Sequence, residues 1–97
     1  MSDTGLARDI RDGIARLAEK NGIREVRLFG SRARGDHHSR SDIDLAVTGG
    51  DVAKFAVAVD EEINTLLMFD VVDLDGPVQP ELLESIEKDG VVLYEKA

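Results

Sequence analysis

The sequence predicts an α+β fold, a small sheet of about four strands covered by helices. Three observations lead there. Apolar residues recur at helical spacing in segments near the start, the middle and the end of the chain. Between them lie short runs that alternate apolar and polar residues or are rich in valine and isoleucine. Asn-Gly, Gly-Gly and Gly-Pro pairs punctuate the boundaries. A length of 97 residues bounds the whole to one domain, residues 1–97, with a single modest core.

The elements follow in order. Asp3 to Lys20 reads as an amphipathic helix, with Leu6, Ile10, Ile14 and Leu17 on one side and Asn21-Gly22 as its stop. Val26 to Phe29 is a short strand that runs into Gly30-Ser31, followed by a short helical turn and an open polar loop to Ser41. Ser41 to Thr48 is the clearest strand, because Ile43, Leu45 and Val47 alternate with Asp42, Asp44 and Ala46. Asp51 is an N-cap for a helix whose stripe is Val52, Phe55, Val59, Ile63 and Leu66. Phe69 to Leu74 is a strand ended by Gly76-Pro77. Pro80 to Lys88 is a helix with Leu82, Leu83 and Ile86 inward, capped by Gly90, and Val91 to Tyr94 is the last strand.

Composition excludes several classes. There is no cysteine, hence no disulfide and no thiolate metal site. No apolar run approaches the roughly 18–20 residues of a membrane span. Met1 to Asp12 is mixed in charge without an apolar core, so no signal peptide is visible and a soluble cytoplasmic protein is expected. The net charge of −8 argues against general nucleic-acid binding. The basic residues between Lys20 and Arg40 suit a small polyanion better.

Two places carry chemistry. Asp42 and Asp44 stand two apart on a strand, so they share a face, opposite Ile43, Leu45 and Val47. Close carboxylates repel, and a compensating cation keeps them together. The oxygen-seeking divalent cation is Mg²⁺, and a pair of such ions about 3.5–4 Å apart is a usual device for nucleotidyl transfer. A lone Asp-x-Asp is also frequent by chance, with one residue capping a turn and the other on a solvated face. Gly30-Ser31 changes that weighing. A glycine after a strand, opening a helical turn beside a serine hydroxyl, makes a small anion site for phosphate. The loop lacks the Lys-Ser/Thr of a Walker A motif, and the aspartate strand lacks the closing Glu of an EF-hand. His37 and His38 have no ligand spacing and read as solvated.

The string GSRARGDHHSRSDID, Gly-Ser then ten residues then Asp-x-Asp, resembles the signature of the polymerase-β-like nucleotidyltransferase superfamily. Together with FDVVDL and GVVLYE it is similar to the minimal nucleotidyltransferases, many of which act as antitoxins of a helical HEPN-domain toxin. The resemblance implies a small mixed sheet and a metal-dependent transfer of a nucleoside monophosphate, AMP from ATP, to a partner protein. It implies that Gly30 and Ser31 hold the triphosphate and that Asp42 and Asp44 bind two Mg²⁺ ions. A third carboxylate completes the site. Asp70 and Asp73 are the candidates, three apart and so on opposite faces; Asp70-Val71-Val72 matches the family's order. Arg32 and Arg34 are within reach of a triphosphate, or of an ion pair with the aspartates. Two other readings stay open: a catalytically weak module that neutralises a partner by contact, and a small-molecule adenylyltransferase. Without metal, convergence of Asp42, Asp44 and Asp70 should raise at least one of their pKa values.

Overall fold

The first helix, α1, runs Arg8–Lys20 and buries Gly13, Ile14, Leu17 and Ala18 on one side. The computed structural model describes residues 6–35, 42–63 and 65–96. The helix starts later than the Asp3 expected from its periodicity, because Ala7 is extended (φ −63°, ψ 148°) and offers no side chain to cap the turn; residues 3–5 lie outside those described. Its end is as expected. The Asn21 amide donates to the Leu17 carbonyl at 2.8 Å, and Gly22 turns the chain with φ 70°.

Seven elements follow among the described residues: β1 Glu25–Phe29, α2 Ser31–Arg34, β2 Ile43–Thr48, α3 Val52–Glu62, β3 Phe69–Asp73, α4 Pro80–Asp89 and β4 Val91–Glu95. The strands form one mixed sheet in the order β3-β2-β1-β4. β1 is antiparallel to both β2 and β4, whereas β2 and β3 are parallel and joined by α3 as a crossover.

Alternation along the strands divides the core between the two faces. Val26, Leu28, Ile43, Leu45 and Val47 face α1 and α3, where they meet Ile14, Leu17, Phe55 and Val59. The other face is smaller: Phe29 and Ala46 pack with Ile86 of α4, flanked by Val72, Leu74 and Leu82. α4 therefore covers only part of its face. Gly90 follows it with extended backbone (φ −64°, ψ 137°), and a Cβ there would overlap the Ile86 carbonyl oxygen. Close approach, not a left-handed turn, requires this glycine.

Two expectations need correction. α3 ends at Glu62, so Leu66 is not on its apolar stripe but fully exposed. Ile63 is already extended, and the Thr65 hydroxyl accepts from the Leu67 amide at 3.2 Å, a local bond that competes with helix. Leu83 is also exposed, at 37 %. Ile86 and Leu82 are one helical turn apart and fill the small α4 contact, which leaves Leu83 at its rim. No helix among the described residues is long and apolar enough to cross a membrane.

Candidate active site

The candidate residues gather where β1 ends and the parallel pair begins. Phe29, the last residue of β1, pairs with Asp44, and Asp44 pairs with Asp70 across β2 and β3. Asp42 lies just before β2 and is exposed. Asp73 is opposite Val47 at the far end of the strand, and its carboxylate accepts from the Asp75 amide at 2.9 Å in the following turn. Of the two acids in β3, the register thus places Asp70 beside Asp44.

Gly30 joins β1 to α2 with φ 76° and ψ −155°, a conformation that side chains beyond glycine rarely adopt. A Cβ at Gly30 would overlap Asp44 Oδ2 and lie 3.2 Å from Asp44 Cγ. The glycine that the sequence assigned to phosphate approach is also the surface against which Asp44 rests. Sequence reasoning missed this contact, since nothing in the spacing shows which side chain the glycine backbone meets. Ser31 follows as the first residue of α2 and is half-buried.

Electrostatics at this corner are unbalanced. Asp44 is half-buried, and its carboxyl is held above the usual carboxylate range. Burial is the largest cause, followed by the charges of Asp70 and then Asp42; Arg34 and Arg32 partly offset them. A raised acid was expected from repulsion alone, but desolvation proves the larger effect. The two arginines differ in setting: Arg32 is 2 % exposed and sits inside the fold, whereas Arg34 is exposed. The burial of Arg32 left no trace in the sequence. His37 and His38 lie outside the described residues, as do Arg40 and Ser41.

The residues suit a hard divalent cation. Their donors are carboxylate oxygens, and the charges of Asp70 and Asp42 add to burial in raising the pKa of Asp44. Among the described residues no three acidic or histidine side chains are already closed around one point. The two facts are compatible: repulsion acts over several ångströms, and a cation between the carboxylates removes the charge that holds them apart.

Comparison with known proteins places this geometry. Residues 13–97 match the family model described as polymerase beta, nucleotidyltransferase. A chain from a toxin–antitoxin crystallised with AMP-PNP is similar in structure, with TM-score 0.71 and 26% identity over 89% of this chain and 73% of that one. A protein assigned as a minimal nucleotidyltransferase aligns with TM-score 0.70 and 27% identity, covering 92% of this chain and 94% of that one. A mutant of the toxin–antitoxin MntA-HpeT gives TM-score 0.68 and 26% identity over 88% and 72% of the respective chains. No match was found among curated proteins. With the family model spanning most of the chain and Asp44 set against the strand-end Gly30, this protein is a nucleotidyltransferase and belongs to the polymerase β nucleotidyltransferase family.

Proposed function

We propose that residues 1–97 form one Mg²⁺-dependent transferase domain that moves AMP from ATP onto a hydroxyl of a partner protein, and that this partner is a helical HEPN-type toxin for which the chain is the antitoxin. The observation that carries the reading is the meeting of Asp44 with Asp70 across β2 and β3, against Gly30 at the end of β1. The toxin–antitoxin relative crystallised with AMP-PNP supports both an adenosine triphosphate as donor and a toxin as partner.

In this reading Gly30 and Ser31 hold the β- and γ-phosphates through backbone N–H groups and the serine hydroxyl. Arg34, exposed at the end of α2, reaches the triphosphate. Arg32 is buried beside Asp44 and steadies the charge there. Asp42, Asp44 and Asp70 would hold the divalent ions, which when bound neutralise the triphosphate and make the acceptor hydroxyl more acidic. The acceptor oxygen bonds to the α-phosphorus, the bond from the α-phosphorus to the bridging oxygen breaks, and pyrophosphate leaves. Asp70 takes the hydroxyl proton on a carboxylate oxygen.

The test is incubation with labelled ATP and Mg²⁺, with and without a helical HEPN-type toxin as partner. Label should appear on that partner. Asp70→Asn should lower transfer by about 10²–10⁴-fold, while Asp73→Asn should be nearly silent. A tight complex with no label under any condition would replace the transferase reading with neutralisation by contact.

A further inference from the structure

The sheet has an outer edge at β3. Ile43 donates its amide to the Met68 carbonyl at 2.9 Å, and Leu74 donates to Val47 at 2.9 Å, so even-numbered residues along β3 face β2. By alternation the backbone N–H and C=O groups of Phe69 and Val71 point away from β2, where no further described strand lies. The side chains of these two residues also line a groove of about 510 Å³ between β3 and α3, together with Met68, Val57, Asp60 and Glu61. Val57 is 55% and Met68 66% exposed, which is high for large apolar residues.

Two features restrict what fits. The groove is apolar along Val57 and Met68, yet Asp60 and Glu61 stand exposed in its wall with no ion pair among the described residues. On a chain of net charge −8, a second copy would bring the same acids against them. A complementary occupant carries lysine or arginine.

We infer that the β3 edge receives an added strand from a partner protein, apolar and basic on the side toward α3 and bearing a hydroxyl on the opposite side, next to Asp70. Strands in a sheet lie about 4.8 Å apart and send alternate side chains to opposite faces. A strand bonded to Phe69 and Val71 therefore sets one residue into the groove and the next onto the Asp70 face. Main-chain bonds give the docking, Asp60 and Glu61 give the preference for a basic segment, and the outward residue becomes the acceptor. The acceptor part rests on the transferase reading above; the docking part does not.

The probe is a capped heptapeptide, Val-Thr-Val-Ser-Lys-Thr-Lys, added to the ¹⁵N-labelled protein without nucleotide or metal. Amide shifts should gather at Phe69, Val71 and Val57, and hydrogen exchange at the Phe69 and Val71 amides should slow. The same peptide N-methylated on alternate amides should not bind, because its bonding edge is blocked. Glutamate in place of both lysines should weaken binding by about tenfold or more, and the double variant Asp60→Lys, Glu61→Lys should reverse that preference. Equal binding of the N-methylated or glutamate peptides overturns the docking, as do shifts centred on Val92 of β4, no shifts at millimolar peptide, or protection of the β3 amides by self-association alone. A second arm adds labelled ATP and Mg²⁺ to the docked peptide: label lost when its hydroxyls are removed supports the acceptor part, and docking without label overturns that part alone.

Discussion

Gly30 and Asp44 are the pair on which the site turns. A side chain at Gly30 meets two obstacles, the positive φ and the Asp44 carboxylate. Gly30→Val should cost of order 1–3 kcal/mol from backbone strain alone and should also displace Asp44. Urea unfolding measures the first effect, and calorimetric titration with ATP and Mg²⁺ should show binding lost. Unchanged binding would mean that phosphate does not approach here. Asp44 carries a further consequence. Its folded-state pKa is raised, so the folded protein holds a proton that the unfolded chain releases as pH rises. Stability from this group is therefore greatest below the unfolded value of about 3.9 and is lost as pH climbs through the folded value. Asp44→Asn removes that loss. In EDTA at neutral pH the mutant should melt at or above the wild-type temperature, and excess Mg²⁺ should reverse the order, since an ion bound only by the folded form stabilises by about 2.7 kcal/mol at one hundred times its Kd. Melts of both proteins in both buffers decide it. The shared face of Asp42 and Asp44 was legible because a strand's period is two. The burial of Arg32 and the glycine–aspartate contact were not, because both depend on which strand lies next to which.

Elements were legible to within a residue or two where a cap or a breaker marks them. α3 begins as its sequence says: Asp51 Oδ1 accepts from the Lys54 amide at 3.1 Å. Asp51→Ala should therefore cost about 0.5–2 kcal/mol, read from the urea midpoint at constant slope, and Asp51→Ser should restore most of it. The far end of the same helix was misread for an instructive reason. Ile63 and Leu66 continue the apolar stripe, so periodicity alone extends the helix past them. Ile63 does bury its side chain, but from extended backbone, and Leu66 emerges into solvent. Apolar spacing reports which residues seek a core, not whether they reach it from a helix. Leu83 teaches the same at α4, where the surface offered by Phe29 and Ala46 is too small to cover every apolar residue of the stripe.

Across the whole molecule the larger core lies between the sheet and α1 with α3, and Phe55 is at its centre with no exposed surface. Phe55→Ala should cost about 3–5 kcal/mol, against a total of roughly 5–15 kcal/mol for domains in general. In a domain this small the variant should be substantially unfolded at 37 °C by circular dichroism, with Mg²⁺ and ATP recovering part of the signal. Four strands and covering helices were legible from pattern. Their order was not: alternation identifies a strand and its buried face, but its neighbours are chosen by tertiary packing.

The strand order has a consequence for how the chain reaches its shape. β1, which delivers Gly30, pairs on one side with β2, close by in sequence, and on the other with β4, which follows only after every other element. Closing that second ladder joins strands more than sixty residues apart, Glu25 with Glu95 and Leu28 with Val91, and the entropy of so long a loop is lost before its bonds form. The β1–β2 ladder and the α3 crossover can assemble early, but β1 keeps one open flank until β4 arrives. The domain should accordingly fold slowly for its size, and on a ribosome the inner strand β1 should stay unpaired on one side and prone to aggregation until β4 has been made.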